Sequence, residues 1–222
     1  MRQPDERDTA VMSATAGERS LRVQVKLCPL LLVLSGPSGV GKTTVTKALQ
    51  NQGWSGHVLT TATTRRPRER EIPGVDYHFL TVEEFHRMVE AGAFLEYAEV
   101  HGNRYGTPAA PVREKLAAGI DVIMTIDPQG AKAIRARARD AVFVFLAPES
   151  LDELIARVNR RDLDSPEQRA IRLLNAEREM AELPNYDYLI VNRRDRLHET
   201  VEQLKAIMLA EHSRVEPRCP AV

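Results

Sequence analysis

The segment "GPSGVGKT" at residues 36–43 sets two glycines, a lysine and a hydroxyl at the spacing G-x-x-x-x-G-K-[ST]. Those residue types at that spacing do one piece of chemistry well: they grip the phosphates of a nucleoside triphosphate. Gly36, Pro37, Ser38, Gly39, Val40 and Gly41 can wrap tightly enough to point backbone N–H groups at an anion. Lys42 adds a mobile ammonium, and Thr43, with Thr44 beside it, offers a hydroxyl to Mg²⁺. From average residue frequencies a chance match somewhere in such a chain is on the order of 1%. The cradle by itself leaves kinase, ATPase and GTPase open.

A second anion site is legible downstream. "TTRRPRER" packs Arg65, Arg66, Arg68 and Arg70 around a stiffening Pro67, and "GVDYHF" and "GNRYGTP" place Tyr77 and Tyr105 after glycines. Guanidinium forks together with phenolic hydroxyls suit a doubly charged monophosphate. Further on, "VIMTIDPQGAKAI" at residues 122–134 reads as a buried strand running into a helix, with Asp127 where the strand ends. Thr125 lies two residues earlier on the same face, and presents a hydroxyl at an edge where a phosphate-handling enzyme would place an acid.

These groups need elements to hold them. The apolar run before the cradle is short and continuous, as in a parallel strand buried on both faces, and a helix from about residue 42 to 52 should follow. That order sets a helix N-terminus against the anion. Apolar strands return at "IDVIMTI", "AVFVFLA" and "YDYLIV", each followed by a helical stretch, which argues for a parallel sheet covered by helices. Residues 60–108 differ in texture: "VDYHFL" and "FLEYAEV" look like strands, and Thr81 with Glu84 forms a capping box for a helix ending near Gly92. Pro108 marks another helix start, in the tolerated first turn. Residues 151–183 form a charge-rich helical pair broken at "RRDLDSP", and residues 197–212 a final amphipathic helix.

Composition limits the class of protein. At 222 residues, 43% hydrophobic and 28% charged, the chain fits one soluble domain with small inserted lobes. Lys plus Arg and Asp plus Glu balance at 31 each, so net charge draws it to neither nucleic acid nor an anionic membrane. No stretch approaches the roughly 18 apolar residues of a membrane span. Cys28 and Cys219 show neither metal spacing nor a disulfide framework, which fits a reducing cytoplasm. Residues 1–26 read as a disordered extension and 214–222 as a flexible tail. The six histidines lack ligand spacing and read as structural.

In order and spacing, "GPSGVGKTT", "TATTRRPR", "GVDYHF", "FLEYAEVHGNRYGTP", "IDPQGAKAI", "RAIRLLNAEREM" and "YDYLIVN" resemble guanylate kinases, over about residues 30–210. The resemblance implies a P-loop nucleoside monophosphate kinase fold and transfer of the γ-phosphoryl of ATP to GMP, and to dGMP, with Mg²⁺. It implies a core of residues 27–59, 109–150 and 184–213, a GMP-binding lobe of residues 60–108 and a lid of residues 151–183. It implies that Arg65, Arg68, Tyr77 and Tyr105 clamp the GMP phosphate, and that Thr61, Glu96, Thr107 and Asp127 line the guanine pocket. Arg157, Arg161 and Arg172 would close over the ATP phosphates, Arg161 and Arg172 sharing the chemical step with Lys42 and Arg65, and Asn192 would meet the adenine end of ATP.

Guanine supports that assignment by its own chemistry. It presents N1–H and an exocyclic amine as adjacent donors beside an O6 acceptor, so carboxylates and a hydroxyl read it, while adenine would leave the carboxylates unpaired. Four positions depart from the family pattern: Arg70 and Asp162 replace glycines, Arg193 stands where an acid is common, and Thr125 replaces an acid. Two other readings are a kinase of the same fold for a different monophosphate, and a binding module that kept the fold and lost catalysis. The intact Gly36, Gly41, Lys42 and Thr43 weigh against the module.

Overall fold

The computed structural model describes residues 28–69, 71–100, 102–159 and 166–222; the N-terminal extension expected at residues 1–26 lies outside them. The apolar run folds as β1 (Leu31–Ser35), buried throughout. Its alternation feeds two cores. Leu32 and Leu34 pack with Val45 and Leu49 of α1 (Lys42–Asn51) and with Val201, Leu204 and Met208 of α7 (Leu197–His212). Leu31 and Val33 pack the other way, with Val112 of α3 (Ala109–Ala117) and with Ala131 and Ile134 of α4 (Pro128–Arg137). A strand covered on both faces has no solvent side, and its sequence is therefore continuously apolar rather than alternating.

The central sheet runs β2 (His57–Val58), β7 (Val122–Thr125), β1, β8 (Val142–Pro148), β9 (Tyr188–Asn192), and all its pairings are parallel. With β7 on one side of β1 and β8 on the other, the chain reverses direction across the sheet at β1. A parallel sheet opens a crevice at the carboxyl ends of its strands at such a switch point, and the phosphate cradle sits there. A smaller sheet, ordered β4 (His78–Phe79), β3 (Ala62–Thr63), β6 (Asn103–Pro108), β5 (Phe94–Val100), forms the inserted region. It packs Ala62 and Phe94 on Phe85 of α2 (Val82–Glu90). The capping box holds as expected: Thr81 Oγ1 accepts from Glu84 N–H at 3.1 Å and Glu84 Oε2 from Thr81 N–H at 2.7 Å. The charge-rich pair is α5 (Leu151–Asn159) and α6 (Pro166–Ala181).

Three expectations are corrected. Pro108 ends β6 and stands as N-cap of α3, rather than inside its first turn. Cys28 and Cys219 form a disulfide across 191 residues of sequence, with Cα atoms 5.3 Å apart. The last residues are packed rather than frayed. Arg218 donates to the Ala141 carbonyl at 3.0 Å and reaches Asp187 at 3.1 Å and Glu211 at 3.3 Å, and the Val222 carbonyl accepts from Arg113 Nε at 2.9 Å. Spacing could not show the disulfide, because the two cysteines meet only once the sheet brings the start of β1 beside the segment after α7. Among the described residues no helix is long and apolar enough to cross a membrane.

Candidate active site

The cradle is held from below. Asn192, at the end of β9 and only 6% exposed, donates through Nδ2 to the Val40 carbonyl at 2.7 Å, and its Oδ1 accepts from Thr200 at 3.1 Å. Gly41 has φ 107°, and a Cβ there would lie 2.7 Å from Asn192 Nδ2. Both the left-handed backbone and this close approach require glycine at that position. Asn192, expected at the adenine end of ATP, has its amide buried under the loop, where it supports the Val40 carbonyl.

Lys42 folds its ammonium back onto its own loop, donating to the carbonyls of Gly36 at 2.6 Å and Pro37 at 3.2 Å. Burial lowers its pKa, against the raising influence of Glu179 and Asp127. Glu179, on α6, accepts weakly from the Ser38 N–H at 3.4 Å, and burial raises its own pKa against the charge of Lys42. Sequence reading missed Glu179, since nothing local marks one glutamate on a charge-rich helix. Thr43 and Thr44 are exposed at the cradle's mouth.

The residues expected to read the base come together across the small sheet. Glu96 pairs with Thr107 in the β5–β6 register, and Thr107 Oγ1 donates to Glu96 Oε1 at 2.5 Å. Both are buried, Glu96 at 7% exposure and Thr107 at 0%. Glu96 Oε2 lies over Gly130, where a Cβ would come within 2.9 Å of it. The glycine of "DPQGA" is thus what lets the carboxylate rest on the first turn of α4, where the helix dipole favours negative charge. Burial pushes the Glu96 carboxyl up to about 7, with the Thr107 hydrogen bond pulling it down and the charge of Asp127 adding to the rise. Thr61 is buried at the entry to β3. Arg137 Nη1 donates to the Leu95 carbonyl at 2.5 Å, tying β5 to α4 and hence the small sheet to the core.

Asp127 caps α4 by accepting from Gly130 N–H at 2.8 Å, and its charge is felt by Lys42, Glu96 and Glu179 alike. It therefore stands between the cradle and the base-reading pair rather than wholly within the latter. Thr125, at the end of β7 and half-buried, pairs with Leu34.

The residues expected to clamp a monophosphate gather around Arg65. Its guanidinium lies 5.5 Å from the Tyr77 ring and 5.9 Å from that of Phe79, and Tyr77 and Tyr105 meet edge to face at 6.2 Å. Tyr105 acts on the same guanidinium, helping to raise its pKa. Burial raises the Tyr77 pKa, which keeps its phenol a donor. Arg68 is exposed beside this group. Glu71, also missed in the sequence, accepts from Arg65 Nη2 and from the Arg68 N–H. Arg161, Arg70 and Asp162 lie outside the described residues; Arg157 and Arg172 fall on α5 and α6.

The sequence model of guanylate kinases matches residues 29–211. A guanylate kinase of Clostridium perfringens (strain SM101 / Type A) is 43% identical over 187 residues, which cover 84% of this chain and 86% of that protein. One from Nocardia farcinica is 46% identical over 186 residues, covering 83% and 95% respectively. The crystal structure of guanylate kinase from Anaplasma phagocytophilum superimposes with a TM-score of 0.72 at 32% identity, covering 86% of this chain and 90% of that one.

Proposed function

The chain belongs to the guanylate kinase family, and from that premise we propose that it transfers the γ-phosphoryl group of ATP to GMP, releasing ADP and GDP for purine nucleotide metabolism. The observation that carries the choice of acceptor is the buried Glu96–Thr107 pair over Gly130. One carboxylate oxygen is taken by the hydroxyl, and the other is left as an acceptor at the base pocket. Adjacent donors on guanine match that acceptor, and adenine, cytosine and uracil do not present the same pair.

The attacking phosphate oxygen is already ionised, so no protein base is needed. Catalysis is then positioning, neutralisation of charge and exclusion of water. Arg65, Arg68, Tyr77 and Tyr105 orient the acceptor phosphate, while Lys42 and the N–H groups of residues 36–44 orient the donor. We assign Arg157, Arg161 and Arg172, on the α5–α6 lid of residues 151–183, to the transferring phosphate. The exposed Thr43 hydroxyl on the first turn of α1 fits a hydrated Mg²⁺ carried mainly by phosphate oxygens, the usual arrangement for this ion. Bound there, Mg²⁺ supplies charge neutralisation on the phosphates. Free ATP and GMP as substrates place the reaction in the cytoplasm.

The test is ADP release with ATP, Mg²⁺ and a panel of GMP, dGMP, AMP, CMP and UMP. Turnover should be confined to the guanine nucleotides, and Lys42→Met should lower kcat by roughly 10²-fold or more. Preference for another base would replace the acceptor assignment, and GMP binding without ADP release would make the chain a binding module.

Thr125 carries a second prediction. A hydroxyl can keep a hydrogen bond to a Mg²⁺-bound water without the negative charge that an acid would add. That charge is a few kcal/mol at an effective dielectric near ~20, and each ~1.4 kcal/mol expressed in the transition state is about tenfold in rate. Thr125→Asp is therefore expected to raise kcat about tenfold or to lower the Mg²⁺ concentration for half-maximal rate. A Mg²⁺ titration of both proteins showing no gain in either would sink the idea.

A further inference from the structure

Glu71 is bound closely to the residues of the acceptor clamp. Its two carboxylate oxygens accept from the single nitrogen Arg65 Nη2, at 2.8 and 2.9 Å, and Oε2 also accepts from the Arg68 backbone N–H at 2.8 Å. The Glu71 N–H returns to the Arg68 carbonyl at 3.0 Å, closing a tight turn that aims the carboxylate back at Arg65. Arg65 and Glu71 side chains are each 17% exposed, so the pair is shielded more than a surface salt bridge and is correspondingly less weakened by solvent.

We propose that Glu71 is a positioning residue for the acceptor phosphate: it locks the Arg65 side chain and the backbone at Arg68 into one unit, and keeps its hold while the phosphate binds. This rests on the GMP kinase reading. Glu71 meets one guanidinium nitrogen of three, and Nη1 donates to the Arg66 carbonyl at 2.7 Å. The Tyr77 and Phe79 rings fix the plane of the guanidinium. An arginine side chain otherwise samples many rotamers, and ordering it in advance removes that entropy from the binding step. Burial alone would raise the Glu71 pKa, but the hydrogen bonds from Arg65 and Arg68 outweigh it and hold the group below the usual carboxylate range. It is thus an anion throughout the pH range of an assay. Among the described residues, the other groups that interact with it are Arg65, Arg68 and Tyr77, cationic or phenolic.

The experiment compares wild type with Glu71→Gln, alone and in an Arg65→Ala background. With Glu71→Gln, KM for GMP should rise about tenfold or more, the scale of one charge-assisted hydrogen bond. KM for ATP and kcat at saturating GMP should stay within about twofold, a split that a general loss of structure would not give. Guanosine, which has no phosphate, should bind the variant as it binds wild type. In the Arg65→Ala background the same change should add less than about twofold, because Glu71 acts through Arg65. A lower or unchanged KM for GMP would overturn the proposal, the carboxylate then being a competitor or a bystander. So would joint loss of guanosine binding, or a full effect persisting without Arg65. Calorimetric GMP affinities give the same ratio even if wild type turns nothing over, so failure of the kinase reading is distinguished from failure of this one.

Discussion

Glu96→Gln is expected to lower kcat/KM for GMP by roughly 10⁴-fold, the scale on which a site built to pair polar groups rejects a mismatch. The reason is geometric. Thr107 donates to Oε1, so an amide that keeps that bond must turn its NH₂ toward guanine's own donors. The same change should stabilise the protein in the absence of nucleotide. Burial holds the Glu96 carboxyl at about 7, above its unfolded value near ~4.3, so ionising it in the fold costs free energy. The sign follows by linkage: the cost is absent below the unfolded pKa, grows as pH rises between the two values, and levels off above about 7. With each pKa unit worth ~1.4 kcal/mol, the penalty above neutral pH is on the order of 3 kcal/mol. Melting curves of wild type and Glu96→Gln should therefore converge at low pH and separate by several degrees above neutrality, the variant being higher.

A kinetic signature accompanies it. Only the ionised Glu96 pairs with guanine, so KM for GMP should climb up to tenfold per unit as pH falls below about 7. Protonation of a phosphate monoester sets in only near pH ~6, so of the substrate phosphate and Glu96 the carboxyl titrates first. Glu96→Gln should show a flat KM between those two values. A variant as active as wild type, or one that melts lower at pH 8, would refute this account of the site.

The second large effect is on stability alone. Opening the Cys28–Cys219 bond, by reductant or by Cys28→Ser, should lower stability by about 5 kcal/mol on the loop-closure model for so long a loop. That amounts to a fall in Tm on the order of 10 °C for a domain of this size. The bond closes 191 residues, and losing it also frees the tail that carries Arg218. Arg218 pairs with Glu211, which is 1% exposed; Tyr188 and Arg214 stay beside that carboxylate, but losing one of its cations adds to the loss. Activity at 25 °C should be unchanged, because Cys28 precedes β1 while the cradle follows it, at opposite ends of a strand about 16 Å long. Reductant should not lower the Tm of Cys28→Ser further. A Tm equal in oxidised and reduced wild type would show that the bond carries no stability. In a reducing compartment the bond would be open, and the reduced protein's Tm would then be the relevant one.

How much of this was visible in the chain depended on range. The cradle could be read because each of its requirements is local: glycine for the turn, lysine and threonine at fixed offsets, an apolar strand before and a helix after. The same holds for the capping box at Thr81 and for the buried strands, whose continuous apolar runs follow from burial on both faces. The short strands β2 and β3 have two residues each, too few for any period, and only their pairing partners define them.

Sequence by itself pointed to a triphosphate cradle on a parallel sheet, and to a second, arginine-rich cluster in an inserted region of different texture. Tertiary structure decided what neighbours do to individual groups. It put Asn192 under the cradle, Glu71 behind Arg65, Glu179 against Ser38, and Glu96 on the turn at Gly130, and it joined Cys28 to Cys219. Each of these is a contact between residues whose meeting depends on how β-sheet and helices stack. The Glu96 pKa near 7 is the clearest case, since a carboxylate's charge state is set by its solvent and its neighbours, and neither is written in the residues beside it.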